Sequence, residues 1–304
     1  MTAIHQSVLL AEVLAWLAPV SGGIYADGNL GLGGHGAAVL ERSSPDGRLI
    51  GFDWDEEALA VARSNLADFG ERAVLLRRNF IELEVSLAEL AITRIDGMLL
   101  DLGLSSLQLD GGGRGFSFRG GEPLDMRMDL RGPQTAADLL RELSAEELAD
   151  IFFYYGEERQ ARRIAGRIVE RRRQAPITTT EELADLVAAA VPRRFHPRNI
   201  HVATKVFQAL RIAVNRELEN LESILAMVPP LLAPGGRFCV ISFHSLEDRL
   251  VKRAFRSDPR LRNLTSKPVV PGEEELRRNP RARSARLRVA EKVAGSPPGL
   301  EGQG

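Results

Sequence analysis

Asp27-Gly28-Asn29-Leu30-Gly31-Leu32-Gly33-Gly34-His35-Gly36 decides how the chain is read. An apolar run, Gly23-Ile24-Tyr25-Ala26, precedes it, and a helix-like run, Ala37-Ala38-Val39-Leu40-Glu41-Arg42, follows. The order is strand, glycine-rich turn, helix. Glycines let such a turn take positive φ and come close to a ligand, and the N–H groups that open the helix face whatever is bound. A second strand, Arg48-Leu49-Ile50-Gly51-Phe52, ends at Asp53. An acid about twenty residues past the turn is placed to accept hydrogen bonds from a ribose diol. The stretch therefore predicts an adenosine-containing cofactor on an open α/β sheet.

Gly31, Gly33 and Gly36 fit G-x-G-x-x-G, the dinucleotide pattern. Asp27 argues against a dinucleotide. It closes the first strand at the lip of the turn, where a carboxylate would repel a pyrophosphate. S-adenosylmethionine has no phosphate, and its ammonium and sulfonium are favoured beside an acid. Two further strands are predicted at residues 73–77 and 95–100, the latter ending at Asp101. Three strands thus end in acids, Asp27, Asp53 and Asp101, and are expected to share one site. Asn79-Phe80 follow the third strand, where Phe80 can border an adenine or simply fill the core.

The 304 residues are 44% hydrophobic and 27% charged with a net charge of −1, an ordinary globular composition with no bulk signal for nucleic acid. The distribution says more. Between Lys252 and Lys292 there are 13 Lys/Arg against 5 Asp/Glu, and between Arg159 and Arg173 seven Arg against Glu170. Such runs are either solvated faces or footprints of a polyanion. The lone Cys239 excludes disulfide frameworks and Cys-rich zinc sites, and the five His show no ligand spacing, so no metal-site residues are expected; whether a metal assists stays open. No signal peptide or membrane-length apolar run is seen, so a cytoplasmic protein without a membrane partner is expected.

Residues 8–17 predict a leading amphipathic helix closed by Pro19, with His5 ahead of it as a cap or site residue. Past Asp101 the βα alternation stops. Residues 102–129 read as a glycine-rich loop with aromatic and basic side chains interleaved, suited to a lid or a substrate contact. Helices follow from Thr135, from Ser144 with Glu147 as a capping box, over a basic stretch from Glu157 to Gln174, and from Thr180. A single long helix is predicted from Ala203 to Met227, broken by Pro229-Pro230. A turn at Pro234-Gly235-Gly236 leads to a buried strand ending at His244-Ser245, where Ser245 can cap the next helix. Residues 267–270 and 285–290 read as a closing strand pair with Arg286 and Arg288 on one face. The expected organisation is a first sheet part at 1–106, an inserted helical substrate-recognition domain at 107–199, and a second sheet part at 200–304. The fold class is thus α/β, a Rossmann-like S-adenosylmethionine-dependent methyltransferase sheet with an inserted helical domain.

Several long motifs carry a resemblance. They are His5-Gln6-Ser7-Val8-Leu9-Leu10, Gly33-Gly34-His35, Leu100-Asp101-Leu102-Gly103-Leu104-Ser105-Ser106, Arg114-Gly115-Phe116-Ser117-Phe118, Pro123-Leu124-Asp125-Met126-Arg127-Met128, Tyr155-Gly156-Glu157-Glu158-Arg159, Phe207-Gln208-Ala209-Leu210-Arg211-Ile212, Ser242-Phe243-His244-Ser245-Leu246-Glu247-Asp248 and Asn279-Pro280-Arg281-Ala282-Arg283-Ser284. From about His5 to Val293 the chain resembles the bacterial RsmH family, also called MraW. The resemblance implies methyl transfer from S-adenosylmethionine to N4 of one cytidine in the decoding region of 16S rRNA. It implies cofactor contacts at Gly33, Gly34, His35, Asp53, Phe80, Asp101 and Gln108, to which the charge argument adds Asp27. The chain departs from the family pattern at Asn29, Gly36 and Leu107. The partner implied is 16S rRNA or the small ribosomal subunit. Oligomeric state, a homodimer included, stays open.

Cytosine N4 is a poor nucleophile because its lone pair is delocalised, so positioning and an acceptor for its N–H are needed. Asp101 or a carbonyl of the loop after it is expected to be that acceptor, with His244 and Ser245 weaker candidates. Two other readings stay open. One is a nicotinamide-dependent oxidoreductase, carried by the glycines alone. The other is a non-enzymatic RNA binder with a relic pocket.

Overall fold

The structure is a computed structural model that describes residues 7–104, 108, 113–118 and 120–294. His5, the Ser105-Ser106 motif and Leu107 lie outside the described residues. The chain forms two compact units, residues 1–105 with 219–304, and residues 106–218. The second unit runs past residue 200, where the sequence reading returned to the sheet. The reason lies in the helix Thr204–Asn215, whose Val206, Phe207 and Leu210 belong to the helical core.

The first unit holds a seven-stranded sheet in the order β3-β2-β1-β4-β5-β7-β6. The strands are β1 Ile24–Asp27, β2 Arg48–Phe52, β3 Ala73–Leu76, β4 Ile95–Asp101, β5 Leu232–Ser242, β6 Leu261–Asn263 and β7 Arg286–Lys292. β1 to β5 pair in parallel, while β7 is antiparallel to both β5 and β6. Continuous apolar runs such as Met98-Leu99-Leu100 are buried on both faces, as central parallel strands require. Helix α1 (Leu10–Leu17) buries Val13 and Leu17, and α2 (Gly34–Arg42), α3 (Glu56–Asn65) and α4 (Leu83–Glu89) fill the crossovers. The chain leaves β1 toward β2 and β3, then returns to β4 on the other side of β1. The carboxyl ends of β1 and β4 therefore flank the point where strand order reverses, where open sheets bind ligands.

The second unit is helical: α5 (Ala136–Glu142), α6 (Ala145–Tyr154), α7 (Ala161–Arg172), α8 (Thr180–Ala190) and α9 (Thr204–Asn215). Leu148, Phe152, Ile164, Ile168, Leu183, Val187 and Leu210 meet in its core. Within the stretch read as a lid or a substrate contact, residues 124–128 are packed down. Leu124, Met126 and Met128 are buried. The Asn215 side chain accepts from Met128 N and donates to Met126 O, both at 2.8 Å.

Several expected boundaries move for local reasons. The long helix from Ala203 is two, α9 and α10 (Glu217–Leu231), because Arg216 takes a left-handed conformation at φ 52°. Pro229 and Pro230 lie inside the last turn of α10 rather than breaking it. Their carbonyls are satisfied by Lys292 Nζ at 2.8 Å and Arg94 Nη1 at 3.1 Å. The basic helix starts at Ala161, since residues 155–160 turn back with Glu158 N donating to Phe152 O. α8 starts at Thr180 as expected, capped by Thr179. The partners of β7 are β5 and β6, and Val269 adds only a single bridge to Leu287, flanked by Pro268 and Pro271.

α11 (Ser245–Ser257) is fixed to the sheet by Asp248. Its carboxylate accepts from Arg288 Nε at 2.6 Å and Nη2 at 3.1 Å, and from Arg286 Nη1 at 3.3 Å. Arg286 and Arg288 do share one face, as the alternation predicts. Arg288 is buried, so losing its carboxylate strands a charge. Asp248→Ala is expected to cost about 3–5 kcal/mol in urea unfolding, and Asp248→Leu with Arg288→Met to recover most of it. Equal stability of single and double variants would show the pair to be dispensable.

Candidate active site

The turn after β1 is built by glycines and tied down by acids. Gly33 sits at φ 85° and begins α2, a conformation that a side chain strains. Gly28 is needed for space: a Cβ there would stand 2.3 Å from Leu100 Cδ2 and 3.0 Å from Phe80 Cβ. Gly28→Ala is expected to cost about 1–3 kcal/mol by overpacking, read as a lower melting temperature, and to weaken cofactor binding as the turn shifts. A variant that melts with the wild type would remove the packing argument.

Asp53 reaches back across the turn. Its carboxylate accepts from Gly31 N and Asp55 N, each at 2.9 Å. Asp27 is 2% exposed and accepts from Asn29 N at 3.2 Å. Asp101 ends β4, beside β1, two residues past the Asp27–Leu99 register pair. Its Oδ1 is buried and has no hydrogen-bond partner among the described residues. His35 Nε2 lies 2.9 Å from the Val8 carbonyl. A carbonyl only accepts, so Nε2 carries a proton, and Nδ1 faces Asp101 Oδ2 at 3.6 Å. Gly34 packs against Ser7, and Phe80 is buried in the core with its Cβ against Gly28.

Burial raises all three carboxyls, and neighbouring acids add to it. Burial pushes Asp27 up to about 7, and Asp53 adds to it. Burial pushes Asp53 up to about 6 against the pull of its two N–H donors. Asp101 is pushed well above the ordinary range by burial, then by Asp27 and Glu247. A cation placed among them would be stabilised by every one; a pyrophosphate would be opposed by every one.

Glu247 was missed as a site residue when the sequence was read. It is 2% exposed, and its carboxylate accepts from Phe243 N at 2.8 Å and His244 N at 3.2 Å. The signal was an acid five residues past a strand's carboxyl end. His244, not Ser245, caps α11: its Nδ1 accepts from Glu247 N at 3.4 Å, and its Nε2 lies 3.2 Å from Glu247 Oε1. Gln108 is a buried helical residue of the second unit, and its assignment rests on the resemblance alone. Cys239 is fully buried in β5 with its thiol pushed up to about 12, so it offers no nucleophilic thiolate.

With this geometry in hand, comparison with known proteins is decisive. The MraW methylase family is matched over residues 2–293. The chain belongs to the MraW methylase family. A protein of Desulfotalea psychrophila named Ribosomal RNA small subunit methyltransferase H is 60% identical over 290 residues, covering 95% of this chain and 98% of that one. Its namesake in Geobacter sulfurreducens is 53% identical over 311 residues, covering 96% and 100%. As an MraW methylase the chain departs from the dinucleotide fold in its sheet as well as its charges, because antiparallel β7 stands between β5 and β6. Among the described residues no helix is long and apolar enough to cross a membrane.

Proposed function

We propose that this MraW methylase transfers a methyl group from S-adenosylmethionine to N4 of cytosine-1402 of 16S rRNA in the small ribosomal subunit. The observation that carries the reading is the buried Asp101 oxygen, without a hydrogen-bond partner among the described residues, beside acids whose carboxyls burial pushes up. Such a cluster fits a ligand that brings positive charge and N–H donors. The names of the relatives support the RNA of the small subunit. When bound, S-adenosylmethionine supplies the electrophilic methyl. In this reading Asp53 would take its ribose, Asp27 and Asp101 its charged end, Gly33, Gly34 and His35 would allow close backbone approach, and Phe80 would border the turn. Asp101 then accepts the amine N–H, raising electron density on N4 and taking the proton that leaves once the methyl is attached. The His35 ring borders that carboxyl's other oxygen, with Nδ1 3.6 Å from Oδ2. His244 orients Glu247 and so acts on the same cluster at one remove. The target base must leave its stack to reach a methyl held inside the sheet's crevice.

The test is mass mapping of 16S rRNA from cells lacking this protein. One cytidine of the decoding region should lose a single methyl, regained on complementation. An unchanged map would remove the assignment.

A further inference from the structure

Six of the seven arginines of 159–173 divide by their partners; the seventh, Arg173, is exposed at the far end of the helix. Arg167 pairs with Glu170 at 2.7 Å. Arg171 donates to the Ala175 carbonyl, and Arg172 donates to those of Leu140 and Leu143. Arg167 pairs within its own helix, Arg171 closes that helix's end, and Arg172 ties it to the end of α5. Arg159, Arg162 and Arg163 are exposed, and no carboxylate among the described residues lies within ion-pair distance of them. They crowd about the first turn of α7, which has no acid and no side-chain cap. α5, α6 and α8 each open with a capping box and an acid. Three cations at the positive end of a helix lower its stability, so local folding does not account for them.

Phe153 and Tyr154 close α6 and are 55% and 62% exposed, with ring centroids 5.2 Å apart edge to face. The turn at 155–160 folds back on the end of α6 through Glu158 N and the Phe152 carbonyl. Lys205 Nζ donates to the Glu157 carbonyl and Gln208 Nε2 to that of Tyr155, which fixes the turn. Two exposed aromatic rings and three unpaired arginines therefore share one end of a helical hairpin.

We infer that this hairpin end binds an unpaired nucleic-acid strand, its bases stacking on Phe153 and Tyr154 and its phosphates neutralised by Arg159, Arg162 and Arg163. The inference rests on the RNA-methyltransferase reading and adds a preference for strand state. Unstacked bases offer π-faces to aromatic side chains, and a duplex hides them. A second copy of the chain fits poorly, since a two-fold contact would bring the same arginines face to face.

The test measures anisotropy of a fluorescein-labelled single-stranded RNA, and of a hairpin duplex of the same composition, with the full-length protein. Phe153→Ala with Tyr154→Ala should weaken single-strand binding by about tenfold or more while leaving duplex binding unchanged. Phe153→Tyr with Tyr154→Phe should bind like wild type. Changing all three arginines to Gln should reduce the log–log salt slope for the single strand by about 2. Melting temperatures, and their shift with S-adenosylmethionine, should stay at wild-type values, which separates lost binding from lost folding. Single-strand binding within twofold of wild type in the double alanine variant would overturn the inference. So would a wild type that prefers duplex or binds neither RNA, or a sedimentation shift from dimer to monomer on losing the aromatics. Methylation of small-subunit RNA by the wild type is assayed beside these. Its absence counts against the functional reading, whereas its presence with an unaltered double variant counts against the hairpin alone.

Discussion

Replacing Asp101 with asparagine is expected to lower methyl transfer to small-subunit RNA by about 10²–10⁴-fold, the range for losing a positioned proton acceptor. The fold should not suffer. Asp101 sits among Asp27 and Glu247 with one oxygen unpartnered among the described residues, and its ionised form is opposed by burial and by two like charges. A neutral amide removes that opposition, and the melting temperature of the ligand-free variant should equal or exceed that of the wild type near pH 8. Asp101→Ala should be as inactive. Single-turnover transfer of labelled methyl, beside a thermal melt, reads both effects. Undiminished turnover in either variant would take Asp101 out of the site.

The second large effect is on pH. In the ligand-free protein Asp27 titrates at about 7 and Asp53 at about 6, above the 3.8 of the unfolded chain. Between about pH 4 and 7 the unfolded chain gives up protons that the fold retains, so stability falls as pH rises through that window. For Asp27 alone the loss approaches about 4 kcal/mol, complete above its folded value. A bound cation favours the ionised acids and reverses the loss. S-adenosylmethionine should therefore bind about 30-fold more tightly at pH 8 than at pH 5.5 from Asp27 alone. S-adenosylhomocysteine, with a neutral thioether, should show a shallower dependence. Equal affinity at both pH values, or tighter binding in acid, would show that the acids do not meet the donor's charge.

The strand-end acids were legible because each lies where an apolar run stops, and the register of a parallel sheet brings such ends together. The glycine turn was legible through residue type, since Gly33 must take positive φ and Gly28 must admit Leu100. Glu247 was not, because its first-turn position has a sufficient local reason, and only the tertiary fold turns it toward Asp101. The break at Arg216 was hidden for a related reason: the apolar stripe runs on through both helices, and one left-handed residue leaves no mark in the periodicity. The capping exchange of Ser245 for His244 shows a ring nitrogen doing what a hydroxyl was expected to do. Charge runs were the least legible. Only the partners of each arginine separate Arg171 and Arg172, which close helix ends, from Arg159, Arg162 and Arg163, which do not.

The central claim is that carboxyls at neighbouring strand tips receive a cationic methyl donor. A crystal structure of the protein with S-adenosylmethionine tests it most directly. The ribose should sit on Asp53 and the sulfonium end beside Asp27 and Asp101. A donor bound away from these three acids would contradict the account.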